Sequence, residues 1–240
     1  MLDRAYWYGR SAVAPAPPSE TYESVILADS PSGFWRLSGA GPEADLSGNG
    51  NALTYNGSPT TEAGPCADGS LAHVFNGTDQ SASAAHAAAF DFGTGDYSIE
   101  FWIKLAAYTS GRYILGHSGN GDDGAWEVSM TSSAFTSRVG DTGVPATADG
   151  PAADSAWHHC VLTMDRDGNG TWYHDASVAS GSPDSISAAA AESVSRTTTL
   201  WIARRESTAF MPGSLANVAI YPSLLSPERV TAHYAARLLS

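Results

Sequence analysis

Lysine is almost missing from this chain: Lys104 stands alone beside eleven arginines in 240 residues. Charged residues of both signs make up only 15%, and the balance is acidic, with a formal net charge of −13. A surface so short of cations argues against nucleic-acid binding and against anionic membranes, since both need a basic patch. Cysteine is nearly as scarce. Cys66 in a Gly/Pro-rich stretch and Cys160 in a strand-like run supply neither a disulfide framework nor a metal cluster, so both are expected as buried free thiols. No apolar run reaches the length that crosses a bilayer, and residues 1–10 (M-L-D-R-A-Y-W-Y-G-R) contain no apolar segment of a secretory signal. The chain is instead 42% hydrophobic and 10% aromatic, ample material for one large β-domain.

The stretch that organises that material is residues 97–105, Y-S-I-E-F-W-I-K-L. Ile99, Phe101 and Ile103 share one face at period two, and Glu100, Trp102 and Lys104 share the other. Alternation of this kind, in a β-branched and aromatic run without Gly or Pro, predicts a half-buried central strand. Further short strands are predicted after a Pro-Gly turn within 29–37 and at 52–55, 72–76, 112–117, 125–130, 135–139, 157–165, 170–174, 200–204 and 214–221, with 80–85 leading away from the 72–76 strand. Residues 22–28 fit either a short helix or a strand. One clear helix is expected over 226–239, with Ser226 as cap, Pro227 at the first helical position and Val230, His233, Tyr234 and Leu238 as its inward stripe. Residues 1–20 form a separate regime. The aromatic cluster Tyr6, Trp7 and Tyr8 precedes A-P-A-P-P, a composition that favours an extended arm anchored on a partner or on the domain itself. The expected organisation is an arm over 1–20 and one domain over 21–240. Its fold class is all-β: a two-sheet antiparallel β-sandwich with a short C-terminal helix.

Four ordered segments resemble the laminin-G-like, concanavalin A-like jelly roll. They are D-S-P-S-G-F-W-R-L with D-L-S-G-N-G (29–50), Y-S-I-E-F-W-I-K (97–104), W-H-H-C-V-L-T-M-D with W-Y-H-D (157–175), and L-W-I-A with M-P-G-S-L-A-N-V-A-I-Y-P-S-L-L-S-P-E-R-V (200–230). The resemblance implies two stacked sheets of about six or seven strands each. It also implies a glycine after Asp175, where this chain has Ala176, so a differently shaped turn is expected there. Domains of this kind serve as lectins, adhesion modules, enzymes and virion parts, so the fold alone fixes no function.

The residues narrow the choice. Glycosidases of this fold resemble one another in an E-x-D-x-E strand that presents two carboxylates; here Glu100 has no second carboxylate at i+2 or i+4, which makes hydrolysis of β-glucans the least favoured reading. His158 and His159 point to opposite faces of a strand and cannot share a metal. D-R-D-G-N-G at 165–170 opens like a calcium loop, but its twelfth position is Ala176 and its flanks are strands, so a hairpin turn explains it better. The best oxygen donors for calcium, the one cofactor considered, are Asp45, Asn49, Asn76 and Asp79. The best platforms for a glycan ring are Trp126 and Trp172. The favoured expectation is a non-enzymatic structural and adhesion module on a phage virion surface, tail or capsid. It would be present in many copies or as a homo-oligomer, held to other virion proteins through Tyr6, Trp7 and Tyr8, and in contact with host-surface glycan. The alternative is a calcium-dependent glycan-binding domain of an extracellular bacterial surface protein.

Overall fold

The computed structural model describes residues 20–117, 125–140, 143–205 and 208–240. Tyr6, Trp7 and Tyr8, and with them the predicted arm, lie outside the described residues. In chain order the elements are α1 (Tyr22–Leu27), β1 (Gly33–Trp35), β2 (Thr54–Asn56), β3 (Thr60–Ala63), β4 (Leu71–Asn76), β5 (Ser81–Ala84), β6 (Tyr97–Lys104), β7 (Arg112–His117) and β8 (Trp126–Met130). They continue with β9 (Ala134–Val139), β10 (Val144–Asp149), β11 (Trp157–Met164), β12 (Asn169–His174), β13 (Ser177–Val178), β14 (Asp184–Ser185), β15 (Leu200–Ile202), β16 (Pro212–Tyr221) and α2 (Pro227–Ala236).

Among the described residues the strands form two antiparallel sheets. One has nine strands and runs β13-β12-β11-β6-β16-β4-β3, with β1 added to β16 and β14 to β12; the other has seven and runs β10-β9-β8-β7-β15-β5-β2. β6 is central as its sequence predicts, paired with β11 on one side and β16 on the other. Ile99, Phe101 and Ile103 enter the core between the sheets, alongside Trp126, Phe135 and Trp172.

The opposite face of β6 departs from the expectation of a half-buried strand. Seven of its eight residues are buried, Glu100 and Trp102 included. The reason is a second apolar layer on the outside of the nine-stranded sheet. There Tyr22 and Ile26 of α1 and Val230 and Ala236 of α2 pack over Trp102, Val161, Ala219 and Tyr221. The cap settles the conformation that residues 22–28 left open. Thr21 Oγ1 accepts from Ser24 N–H at 3.1 Å while Ser24 Oγ accepts from Thr21 N–H at 2.9 Å, a reciprocal pair that starts a helix. α2 begins as predicted, with Ser226 Oγ accepting from Arg229 N–H and Pro227 first in the helix. Opposite β6, β16 pairs with β4 through Pro212–Leu215 and with β1 through Val218–Ile220, and its register against β6 shifts between Ala216 and Ala219. Asn217 turns left-handed at φ +50, and its N–H bonds Arg36 O. Both cysteines are free and buried.

The hairpin joining β12 to β13, where Ala176 stands in place of glycine, is closed by a two-residue turn. Asp175 and Ala176 both sit in the left-handed region, at φ +49 and +67, between the paired residues His174 and Ser177. That is the two-residue turn that suits twisted strands, and Ala176 carries the Cβ strain that glycine would not. Ala176→Gly should therefore raise the stability of the domain by about 0.5–1 kcal/mol, read as a higher denaturant midpoint with an unchanged slope. A lowered midpoint would show that the turn is not strained.

Candidate functional site

The two tryptophans expected as sugar platforms are core residues. Trp126 and Trp172 are each 0% exposed. Trp126 Nε1–H donates to Phe90 O and Trp172 Nε1–H to Ala146 O, both at 3.1 Å. Trp172 is ringed by Phe101 and Phe135 between the sheets. Indoles with their faces packed and their donors spent have no face left for a ligand, so this assignment is corrected: both rings face inward at period two.

The four oxygen donors fall in two separate turns, and no hydrogen bond among the described residues links one pair to the other. Asp45 Oδ1 accepts from Phe34 N–H and Ser47 N–H, and its Oδ2 from Asn51 N–H. Asn49 Nδ2–H donates to Ser32 O at 3.1 Å. Asn76 Oδ1 accepts from Thr78 and Asp79 N–H groups while its Nδ2–H donates to Asp79 Oδ1. This is the hydrogen bonding of turn caps, with the oxygens directed at backbone donors.

Open surface with converging polar groups lies at one edge of the sandwich, where residues 57–59 cross from β2 of the seven-stranded sheet to β3 of the nine-stranded sheet. A cavity of about 440 Å³ there is lined by Gly39, Pro42, Tyr55, Ser58, Pro59 and His73. It continues along β3 past Thr60, Thr61 and the exposed Leu71. Two side chains fix its wall. Glu43 binds the backbone N–H groups of Leu37 and Ser38 and accepts from the Tyr55 hydroxyl. Burial, then the Glu43 charge, hold that phenol protonated far above its usual range. The His73 ring packs against Tyr55 with centroids 4.0 Å apart, and its Nε2–H donates to Gly39 O at 2.9 Å. His73 Nδ1 is buried without a partner. An unspent imidazole nitrogen beside a half-buried phenol ring, with Ser and Thr hydroxyls along the rim, suits a neutral, hydroxyl-rich ligand. Elsewhere the half-buried Trp201 already carries a guanidinium, that of Arg204, 3.7 Å from its ring centroid.

A family model described as the concanavalin A-like lectin/glucanases superfamily matches residues 76–231. The chain belongs to that superfamily. No curated protein matches it significantly in sequence. Among solved structures, the binding domain of Paraclostridial Mosquitocidal Protein 1 is similar at a TM-score of 0.70 and 17% identity, over 87% of this chain and 52% of that one. The botulinum neurotoxin serotype G binding domain is similar at 0.68 and 15% identity, over 85% and 50%. The binding domain of botulinum neurotoxin DC, solved in complex with SialylT, is similar at 0.67 and 10% identity, over 88% and 52%. The chain thus spans about half the length of these domains, and at such identities the likeness is one of fold.

Within this superfamily fold the lone carboxylate of β6 has an unexpected setting. Glu100 is 0% exposed, and its Oε1 lies 2.7 Å from His159 Nε2. Its Oε2 accepts from Tyr221 O–H at 2.6 Å and from His233 Nδ1–H at 2.8 Å. The other nitrogen of His233 reaches Asp29 Oδ2 at 2.7 Å, and Arg229 pairs with the same carboxylate. An imidazole whose two nitrogens both face carboxylates donates from both, which is the protonated form. His159, His233, Tyr221 and Asp29 come from β11, α2, β16 and the end of α1, a convergence that no spacing in the sequence announces. Glu100, His159 and His233 at its centre have no exposed side-chain surface.

Burial would raise the Glu100 carboxyl, but the His233 charge and the two imidazole hydrogen bonds carry it well below the carboxylate range. Burial would lower His233, but the charge and hydrogen bond of Glu100, helped by Asp29, raise it. The depressed Glu100 contributes stability that is present above its unfolded value of 4.5 and lost as pH falls through its folded value. The raised His233 contributes stability that is full below its unfolded value of 6.5 and lost as pH rises through its folded value. Thermal stability should therefore fall off on both sides of a window from 4.5 to 6.5. His233→Gln should cost about 3–5 kcal/mol and shrink the alkaline decline to the part that His158, raised by Asp175 and Asp154, still contributes. A variant whose melting temperature keeps the wild-type pH profile would count against the pairing.

Proposed function

We propose that this domain is a non-catalytic adhesion module that contacts surface glycan through the groove between β2 and β3. The observation that carries the reading is the fate of Glu100. It stands on the strand where a hydrolase of this shape would present paired carboxylates, yet it is closed under α2 with both oxygens engaged. The similar solved structures support the same direction, since they are binding domains, one of them solved in complex with SialylT. A groove built from hydroxyls, backbone groups and an aromatic wall, in a chain with 15% charged residues, fits a neutral sugar better than an anionic polymer.

The finer reading places the module in many copies on a virion surface, tail or capsid, attached to other structural proteins by residues 1–20. Its support is the composition of that segment: an aromatic triplet able to seat in a partner's pockets, followed by prolines that space it from the domain. The test has two parts. On a glycan array the wild-type chain should bind in calcium and in EGTA alike, and Thr61→Trp, an exposed substitution beside the groove, should abolish the signal. Silence in both conditions would remove the glycan reading, and binding only in calcium would favour the calcium-dependent lectin. Deleting residues 1–20 should prevent incorporation into particles while leaving array binding intact; unchanged incorporation would overturn the anchoring role.

A further inference from the structure

The start of β15 gathers three metal-ligating side chains that neither the groove nor the Glu100 web uses. β15 lies between β5 and β7, with Trp201 opposite Ser83 on one side and Gly116 on the other. Both neighbours run antiparallel to it, so the chain leaves β5 and β7 at the same end. His86 follows β5, His117 is the last residue of β7, and Asp91 follows the short 3-10 turn Ala88–Phe90 that continues from His86.

Their donor atoms already face one another. His86 Nε2 lies 3.6 Å from Asp91 Oδ2, and His117 Nδ1 lies 3.9 Å from Asp91 Oδ1. The two imidazoles are nearly parallel, at 6°, with His86 Nδ1 3.4 Å from His117 Nε2. One donor atom from each of the three residues falls within 4.8 Å of the others. Ligands about 2.0–2.1 Å from a tetrahedral ion stand about 3.3–3.4 Å apart, so a small closure of the triangle is enough. His86 can supply it, because its side chain is 32% exposed and its ring is not packed in the core.

A second observation points to a missing ligand. His117 is 0% exposed, packed against Phe90 and Trp126, yet its Nδ1 has no hydrogen-bond partner. Among the buried polar atoms without a partner, this nitrogen is the one that lies near the Asp91 carboxylate, 3.9 Å from its Oδ1. The carboxylate is also braced as metal-bound carboxylates are: Asp91 Oδ1 accepts from Arg196 N–H at 3.1 Å, which leaves Oδ2 turned toward His86.

The geometry points to a site for a divalent transition ion, zinc in the first instance, held by His86 Nε2, His117 Nδ1 and an Asp91 oxygen. Two imidazoles and one carboxylate are a donor set for zinc, cobalt or nickel and not for calcium, which takes six or more oxygens. With three protein ligands the fourth position is left to water, reached from the exposed side of His86 and Asp91.

Calorimetric titration of the untagged, chelator-stripped full chain with zinc should show one ion bound per chain, with a matching rise in melting temperature. Cobalt(II) in its place should give the visible absorption of a tetrahedral nitrogen–oxygen site. His86→Ala, at an exposed position, and Asp91→Asn, an isosteric change at a half-buried one, should each weaken binding by more than about tenfold without lowering the melting temperature of the metal-free protein. His158→Ala, on a different element, should bind as the wild type does. Absence of binding at stoichiometric zinc, binding that survives His86→Ala, or binding lost in His158→Ala would each overturn the assignment.

Discussion

A carboxylate closed away from water must find its counter-charge inside the protein, and the arrangement of this domain follows from where Glu100 finds it. The donors lie on β11, β16 and α2, and the second carboxylate that completes the web, Asp29, sits just past α1. Each element is thereby tied to the middle of the nine-stranded sheet by a short, charge-assisted bond, the kind that tolerates little displacement. The apolar contacts of Tyr22, Val230 and Ala236 supply area around that point, but they are non-directional and would accept a shifted helix. Glu100 and its partners select one position among those that hydrophobic packing allows.

Closing the outer face has a consequence for function. The nine-stranded sheet is covered on one side by the other sheet and on the other by two helices, so neither face is available to a ligand near β6. What remains open at that sheet are its edge and the turns at strand ends. The groove beside β3 and the histidine pair at the start of β15 are found in just such places.

The strands were legible because their signal is local. β7 falls where alternation put it, residues 112–117, and β6, β8, β11 and β12 lie within a residue or so of their predicted bounds. β3, β10, β13 and β14 gave no such signal: T-T-E-A, V-P-A-T-A-D, S-V and D-S lack a β-branched, alternating core face or are too short to show one. The second apolar layer was hidden for a different reason. Period two tells which residues share a face of β6, and it cannot tell whether that face meets water or a helix lying 130 residues farther along the chain. Trp126 and Trp172 show the same limit from the other side. Both were correctly placed on strands, and their faces were decided by register with neighbours that no single segment encodes. His86 and His117 are 31 residues apart, and only their shared neighbour β15 brings them together.

The charge balance bears on the rim as well. A chain of net −13 with a single lysine surrounds itself with a negative potential, and the field at any one point is set by groups within about a Debye length, near 8 Å at physiological ionic strength. At the start of β15 the carboxylate is that of Asp91, held in place by the backbone N–H of Arg196. A carboxylate beside two imidazoles offers a divalent cation both charge and nitrogen donors. In the groove Glu43 is turned into the wall, its oxygens taken up by backbone N–H groups and a phenol, so that hydroxyls and an aromatic ring line the opening. One molecule therefore offers two chemically distinct surfaces, a neutral wall suited to hydroxyls and a rim suited to a cation, and neither depends on the buried web that holds the fold.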